Sequence, residues 1–360
     1  MKKILFIAAH RKDRAPNQRF RFEQYFDYLK SQGFQCELSP LISAADDKVF
    51  YQPGHYFAKI LIGLNAWRKR FVDSMKRNDY DIIFIAREAI MTGSTFFENR
   101  FRNSRAKIVY DFDDSIWIEV VSQNNKALAW LKDAQKTSRI IAMADLVFAG
   151  NSFLANYAKQ FNSKVVIVPT TIDTELYYPK ALIQKERVII GWSGSVSTLE
   201  HFEHAIPALI KIKEKFGSVI QFKVIGDGNY KNEELGIQGL PWKHDTEIYD
   251  LQEIDIGIMP LPDNEWTWGK CGLKGLQYMA LEIPTIMSAV GVNLSIIQDG
   301  HNGFLATTEE EWVQKLSVLI EDGELRSKLG KAGRITVVEH YSVQSQKNKY
   351  LEYFQTLTVQ

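Results

Sequence analysis

The sequence predicts two Rossmann-like α/β domains, each a doubly wound parallel sheet, facing each other across a central cleft. Three observations predict this. Short apolar, β-branched runs alternate with longer amphipathic stretches along the whole chain, the pattern of parallel strands joined by crossover helices. The alternation lapses over Asp173–Lys185, which contains Pro179 and few apolar residues, then restarts at Arg187-Val-Ile-Ile-Gly191. Finally, 360 residues are too many for one ordinary core and suit two domains of about 150–200 residues each.

The expected strands of the first domain are Ile4–Ala8, Gln35–Leu38, Ile82–Ala86, Lys107–Phe112, Leu146–Ala149 and Val165–Val168. Those of the second are Val188–Trp192, Ile220–Ile225, Ile254–Met259, Thr285–Ser288 and Gly303–Leu305. Helical patterns fill Gln24–Gln32, Lys126–Ala144, Glu200–Phe216 and Glu309–Ile320. The resulting division is residues 1–178, residues 179–341, and a closing helix over 342–360 that returns to the first domain.

Composition narrows the function classes. The chain is 45% hydrophobic and 24% charged with no low-complexity tract, which excludes a fibre, a coiled coil or a disordered tail. No apolar run approaches the ~20 residues of a membrane span, and the six-residue apolar run near the N-terminus reads as a buried strand rather than a secretory leader. Cys36 and Cys271 provide neither a disulfide framework nor a cysteine metal cluster. A cytoplasmic location is expected. The net charge of +1 conceals an asymmetry: residues 1–170 hold 26 basic and 17 acidic residues, leaving 18 and 26 in the remainder. The two halves are therefore suited to different partners.

In open parallel sheets, ligands bind beyond the carboxyl ends of the strands, and the chemistry-bearing residues follow strands here. The loop after the first strand, His10–Arg21, has five Arg or Lys residues and no glycine. A dinucleotide fingerprint is thus impossible there; the loop either holds an anionic acceptor or is a solvated basic loop. Asp111-Phe-Asp113-Asp114-Ser115 places three repelling carboxylates at a strand end, which is costly unless they are used or paired. They could bind a divalent cation, act as a phosphotransferase with Asp111 as nucleophile, orient an acceptor hydroxyl through Asp113 or Asp114, or cap a helix. Gly191-Trp-Ser-Gly194-Ser195 opens the second domain. It resembles a serine-hydrolase elbow but lacks the last glycine; its small residues let a phosphate approach a helix N-terminus, with Gly194, Ser195 and Gly226 as candidate contacts. In Trp266–Ile286, Lys270, Lys274 and Gln277 share one helical face after a strand. Two ammonium groups at a helix start suit a diphosphate, and Gln277 could reach a ribose hydroxyl.

The run Gly269-Lys-Cys-Gly-Leu-Lys-Gly-Leu-Gln-Tyr-Met-Ala, its continuation Ile283-Pro-Thr-Ile, Ser288-Ala-Val-Gly291 and Asp299-Gly-His-Asn-Gly303-Phe resemble the donor-site region of family-4 retaining glycosyltransferases, which have the two-Rossmann (GT-B) fold. The resemblance implies transfer of a sugar from a nucleoside-diphosphate sugar with retention, without a metal or other cofactor. It places the family's ribose-binding glutamate at Gln277 and its sugar-side glutamate at Gly269. The family's Arg and Lys diphosphate ligands are missing from Gly191–Thr198, leaving that charge to Lys270 and Lys274. On the acceptor side, the family's histidine falls at Asp113, with Asp114 and Arg87-Glu88 lining the same cleft, so Asp113, Asp114 and Glu88 are the catalytic candidates.

Lys59–Arg77 carries Ile60, Leu61, Leu64, Trp67, Phe71, Val72 and Met75 on one helical stripe, with its basic residues mostly elsewhere. Such a helix either packs on the sheet or lies on an anionic bilayer. The reading that results is a glycosyltransferase acting on a glycan or lipid-linked acceptor in cell-surface polysaccharide synthesis, peripheral on the inner face of the membrane, with no nucleic-acid partner. A nucleotide-sugar epimerase of the same fold would turn over donor without an acceptor. An Asp111-dependent phosphotransferase would require magnesium, and a two-lobed binding protein would require export.

Overall fold

A computed structural model describes residues 1–52, 54–118, 133–180 and 186–358. The chain divides into two compact units, residues 1–169 with 347–360, and residues 170–346. The first boundary thus falls nine residues before the expected one: Thr170–Tyr178 pack with the second unit, where Arg334 donates to the Thr174 and Tyr177 carbonyls at 3.2 and 2.9 Å.

The first unit is built on strands β1 (Lys2–Ala8), β2 (Phe34–Pro40), β3 (Ile82–Ala86), β4 (Lys107–Phe112), β5 (Leu146–Ala149) and β6 (Val165–Ile167), in the order β2-β1-β3-β4-β5-β6. All pairs are parallel. β3 is buried along its whole length, as expected of a strand covered on both faces. The predicted helix Lys126–Ala144 is found over Gln135–Met143; its part within 119–132 lies outside the described residues. Phe6, Phe22, Phe26 and Phe84 cluster in the core with ring centroids about 5–6 Å apart. The closing helix, Val343–Thr358, adds Phe354, which meets Phe6, Phe34, Phe84 and Phe148, and Tyr350, stacked on Tyr25 at 4.3 Å.

The second unit begins with β7 (Val188–Ser193) and β8 (Ile220–Gly226). The short β9 (Lys231–Asn232), β10 (Ile237–Gln238) and β11 (Leu240–Pro241) follow, then β12 (Ile256–Met259), β13 (Thr285–Ser288) and β14 (Phe304–Ala306). Its main sheet runs β11-β8-β7-β12-β13-β14, and β9 and β10 form a separate antiparallel pair. These three two-residue strands are too short for periodicity to reveal. The expected helix Glu200–Phe216 is split into Leu199–Glu203 and Ile206–Phe216. Pro207 explains the break, because a residue with no N–H is tolerated in a first turn and not in a helix interior.

Both main sheets reverse direction of growth once, between β1 and β3 in the first unit and between β7 and β12 in the second. Parallel α/β sheets bind ligands at such switch points.

Candidate functional site

At the first unit's switch point, the β1 loop is folded onto its own side chains. Gln18 accepts from the His10 N–H at 2.8 Å and donates to the His10 carbonyl and to Glu23 at 2.9 Å. Arg11 and Arg14 both reach one oxygen of Asp47 at 2.6 Å, and their charge outweighs burial to keep that carboxyl below its usual range. Most of the loop's basic residues are therefore engaged within the protein. His10 faces the same cluster: burial first, then Arg14, Arg11 and Arg87, push its pKa down to about 4 against the pull of Asp47. Its Nδ1 is buried without a hydrogen-bond partner.

The three strand-end carboxylates meet three different fates. Asp111 is buried and paired with the equally buried Arg21, whose Nη2 donates to Oδ1 and whose Nε donates to Oδ2 at 3.3 Å. Arg21 also donates to the Val168 carbonyl. Burial raises the Asp111 pKa despite this arginine. The arrangement speaks against one of the open readings, Asp111 as a phosphotransferase nucleophile: its carboxylate is buried and bound to a guanidinium. Asp113 and Asp114 sit nearer the surface and share Arg87, whose Nη2 lies 2.6 Å from Asp113 Oδ1 and 3.6 Å from Asp114 Oδ2. Their charges outweigh burial and hold the Arg87 guanidinium firmly protonated. Arg87 itself follows β3 in a left-handed conformation, φ +64°, a strained state for a long side chain. Glu88 accepts from Lys136 Nζ at 2.8 Å, and that ammonium also bonds the Ile90 and Thr92 carbonyls. Burial raises the Glu88 pKa against the opposing effect of Lys136. All three catalytic candidates thus lie at the ends of β3 and β4, each held by a cation. Arg21 escaped sequence reasoning because its partner lies 90 residues away.

At the second unit's switch point, the β7 loop is anchored by Tyr278, whose hydroxyl accepts from the Ser193 N–H at 2.7 Å. Gly194 and Gly226 lie back to back: a Cβ on Gly226, at φ +152°, would sit 2.1 Å from the Gly194 carbonyl oxygen. Ser195 caps a turn at Val196–Thr198, with its Oγ 2.9 Å from that of Ser197. The helix Leu273–Ala280 starts at Gly272, φ +72°, and no side chain caps it. Such a start leaves backbone N–H groups and the positive end of the helix dipole for an anion. Lys274 is in its first turn, with Nζ 5.4 Å from the centre of the Trp192 ring, while Lys270 Nζ is 4.6 Å from that of Trp266.

Gln277 departs from its expected place. It is buried, donating to the Tyr177 hydroxyl at 3.2 Å and to Glu247 Oε1 at 3.3 Å. Glu247 is also buried and accepts from Tyr177 at 2.9 Å and from Trp242 Nε1 at 3.0 Å. The carboxylate the family carries at position 277 would repel Glu247 here, whereas an amide donates to it. The amide is thus engaged inside the unit rather than presented to a ribose.

His201, on the helix Leu199–Glu203, was not anticipated. Burial, Lys274, Lys270 and His204, in that order, push its pKa down to about 3. A cavity of about 220 Å³ lies beyond β12, β13 and β14, lined among others by His204, Pro260, Asp263 and Trp312; it does not include the two lysines.

Two doubly wound parallel-sheet units, each with charged residues gathered at its switch point, make up a two-Rossmann fold of the GT-B type. Residues 173–336 match the family described as glycosyl transferases group 1, in line with the resemblance to family-4-like glycosyltransferases. The chain is 21% identical over 228 residues to D-inositol 3-phosphate glycosyltransferase of Stackebrandtia nassauensis, covering 53% of this chain and 49% of that protein. It therefore spans about half the length of the curated relative it matches. Sucrose-phosphate synthase of Thermosynechococcus elongatus has the same fold, with a TM-score of 0.72 at 14% identity over 99% of both chains. So does HepE of Anabaena, solved with UDP and glucose, with a TM-score of 0.68 at 14% identity over 99% of this chain and 100% of that one.

Proposed function

We propose that the protein is a glycosyltransferase that moves a sugar, with retention, from a nucleoside-diphosphate sugar to a glycan or lipid-linked acceptor. The observation that carries the reading is the pair Lys270 and Lys274 at an uncapped helix start, beyond the switch point of a unit that matches group 1 glycosyltransferases. Their charge would neutralise a departing diphosphate, so the reaction is proposed to need no metal. HepE, of the same fold, has been solved with UDP-glucose, in line with such a donor. Asp113 and Asp114 are proposed to orient the acceptor, with Arg87 fixing their positions, and Glu88 to line the same strand end.

The proposed setting is the cytoplasmic face of a membrane, in cell-surface polysaccharide synthesis. No helix among the described residues is long and apolar enough to cross a bilayer. The support is instead the helix Tyr56–Met75, which turns Ile62, Ala66, Arg70 and Ser74 inward and leaves its apolar stripe exposed. A lipid-linked acceptor fits an enzyme resting on that stripe.

The test is thermal-shift stabilisation by a panel of nucleoside diphosphates, with wild type beside Lys274→Ala. A ligand at 100 times its Kd adds about 2.7 kcal/mol. One diphosphate should raise the Tm of wild type and not of the variant; silence across the panel removes the reading. Transfer unaffected by EDTA is expected, and activity lost to EDTA and restored by magnesium would overturn the metal-free part.

A further inference from the structure

His201 lies within electrostatic reach of the two lysines of the second unit's switch point, whose charge opposes its protonation. It is 3% exposed, and its Nδ1 is buried with no hydrogen-bond partner. Its Nε2 is 3.8 Å from Glu200 Oε1. Trp192, whose ring Lys274 approaches at 5.4 Å, is 1% exposed and has an Nε1 that is likewise buried without a partner. Buried polar nitrogens without partners are uncommon in native proteins, and each calls for a reason. Two of them in the neighbourhood of two ammonium groups suit an anionic acceptor.

The charged groups acting on His201 are Lys274 and Lys270, from the helix Leu273–Ala280 and the turn before it, and Glu200 and His204 beside it in sequence. A diphosphate on the lysines would cancel their repulsion and add negative charge of its own. An imidazolium could then direct one N–H toward Glu200 and the other toward the ligand. We propose that His201 is a third group of the diphosphate site and takes one proton from solvent as the diphosphate binds. The proposal rests on the reading of Lys270 and Lys274 as the donor site.

Isothermal titration calorimetry of the full chain with UDP-glucose tests it, run at pH 6.0 in two buffers of different ionisation enthalpy. UDP-glucose is the probe because its doubly esterified diphosphate does not itself titrate near that pH. Wild type should take up a measurable fraction of about one proton per ligand, with Kd weakening about threefold or more from pH 5.5 to 7.5. His201→Gln should bind without uptake and with a flat pH profile. Binding by wild type without proton uptake overturns the proposal and leaves the donor site standing. Undiminished uptake in a folded His201→Gln overturns it as well. If UDP-, ADP-, GDP- and dTDP-glucose all fail to bind, the donor reading falls and the proposal with it. Should the variant not fold, imidazole ¹⁵N shifts of wild type answer the same question: an imidazole that stays neutral at pH 5.5 under saturating UDP-glucose overturns the proposal.

Discussion

Arg21 and Asp111 are a buried pair, and the cost of breaking one is asymmetric. Removing the guanidinium leaves a carboxylate in the core without its counter-charge, so Arg21→Met should destabilise the protein by about 3–5 kcal/mol in urea unfolding. Asp111→Asn would leave Arg21 its carbonyl partner at Val168 and should cost less. Gln277 gives a second test at this scale. Gln277→Glu would set two buried carboxylates against each other, lowering Tm at pH 7 and recovering part of the loss at pH 5, where one of them takes up a proton. A Tm as low at pH 5 as at pH 7 would refute the electrostatic account of the substitution. These residues also mark the limit of what could be read from the chain. The crowding of Asp111, Asp113 and Asp114 is plain in the sequence, as is the spacing of Lys270 and Lys274, because both are local. Arg21 and Glu247 are not: each meets its partner through the fold, and no periodicity links them.

The helix Tyr56–Met75 shows the same limit for an element. Its stripe is legible from spacing, yet spacing does not say which face turns inward. The buried face centres on Arg70, which bonds the carbonyls of Ala8, Ser39 and Ala89 as well as Ser39 Oγ and Asp73. Backbone acceptors of this kind leave no trace in a hydrophobic pattern. Outside stand Phe57 at 75% exposure, Leu64 at 63% and Trp67 at 48%, with Phe96 stacked beside Trp67. An apolar face bordered by Lys59, Arg68, Lys69 and Lys76 has the make-up of an interfacial helix. Liposomes rich in anionic lipid should co-sediment the protein at low salt, and Ile60→Glu with Leu64→Glu, both more than half exposed, should abolish this. The double variant should keep its Tm within a few degrees, since exposed substitutions away from special features usually change stability by no more than about 0.5 kcal/mol. Failure to bind at any salt concentration would sink the assignment.

Across the whole molecule, the strands were the most legible feature, because strands buried on both faces read as continuous apolar runs bounded by breakers. The β9–β11 segment and the broken helix at Pro207 were not, being set by two-residue pairings and a single ring. Stability against pH is another whole-molecule property. His10 and His201 stay neutral in the native state to about 4 and about 3, whereas an unfolded imidazole protonates near 6.5. Below that pH the unfolded chain binds more protons, so stability falls with acidification, by up to about 1.4 kcal/mol per pH unit for each histidine. Asp111, Glu88 and Glu23, whose burial raises their pKa, act in the opposite sense. The comparison that isolates the effect is His201→Gln, which should lose less Tm than wild type between pH 7 and 5; an equal loss would exclude His201 as a source.

The closing helix belongs mostly to the first unit although it follows the whole second unit in the chain. Phe354, fully enclosed among Phe6, Phe34, Phe84 and Phe148, and Tyr350, stacked on Tyr25, complete a core whose other walls are translated more than 170 residues earlier. On the ribosome, that core must wait open while the second unit is synthesised and free to fold, with its aromatic side chains exposed to chaperones and to other nascent chains. The order of synthesis thus runs against the order of assembly: the half made first is the half finished last.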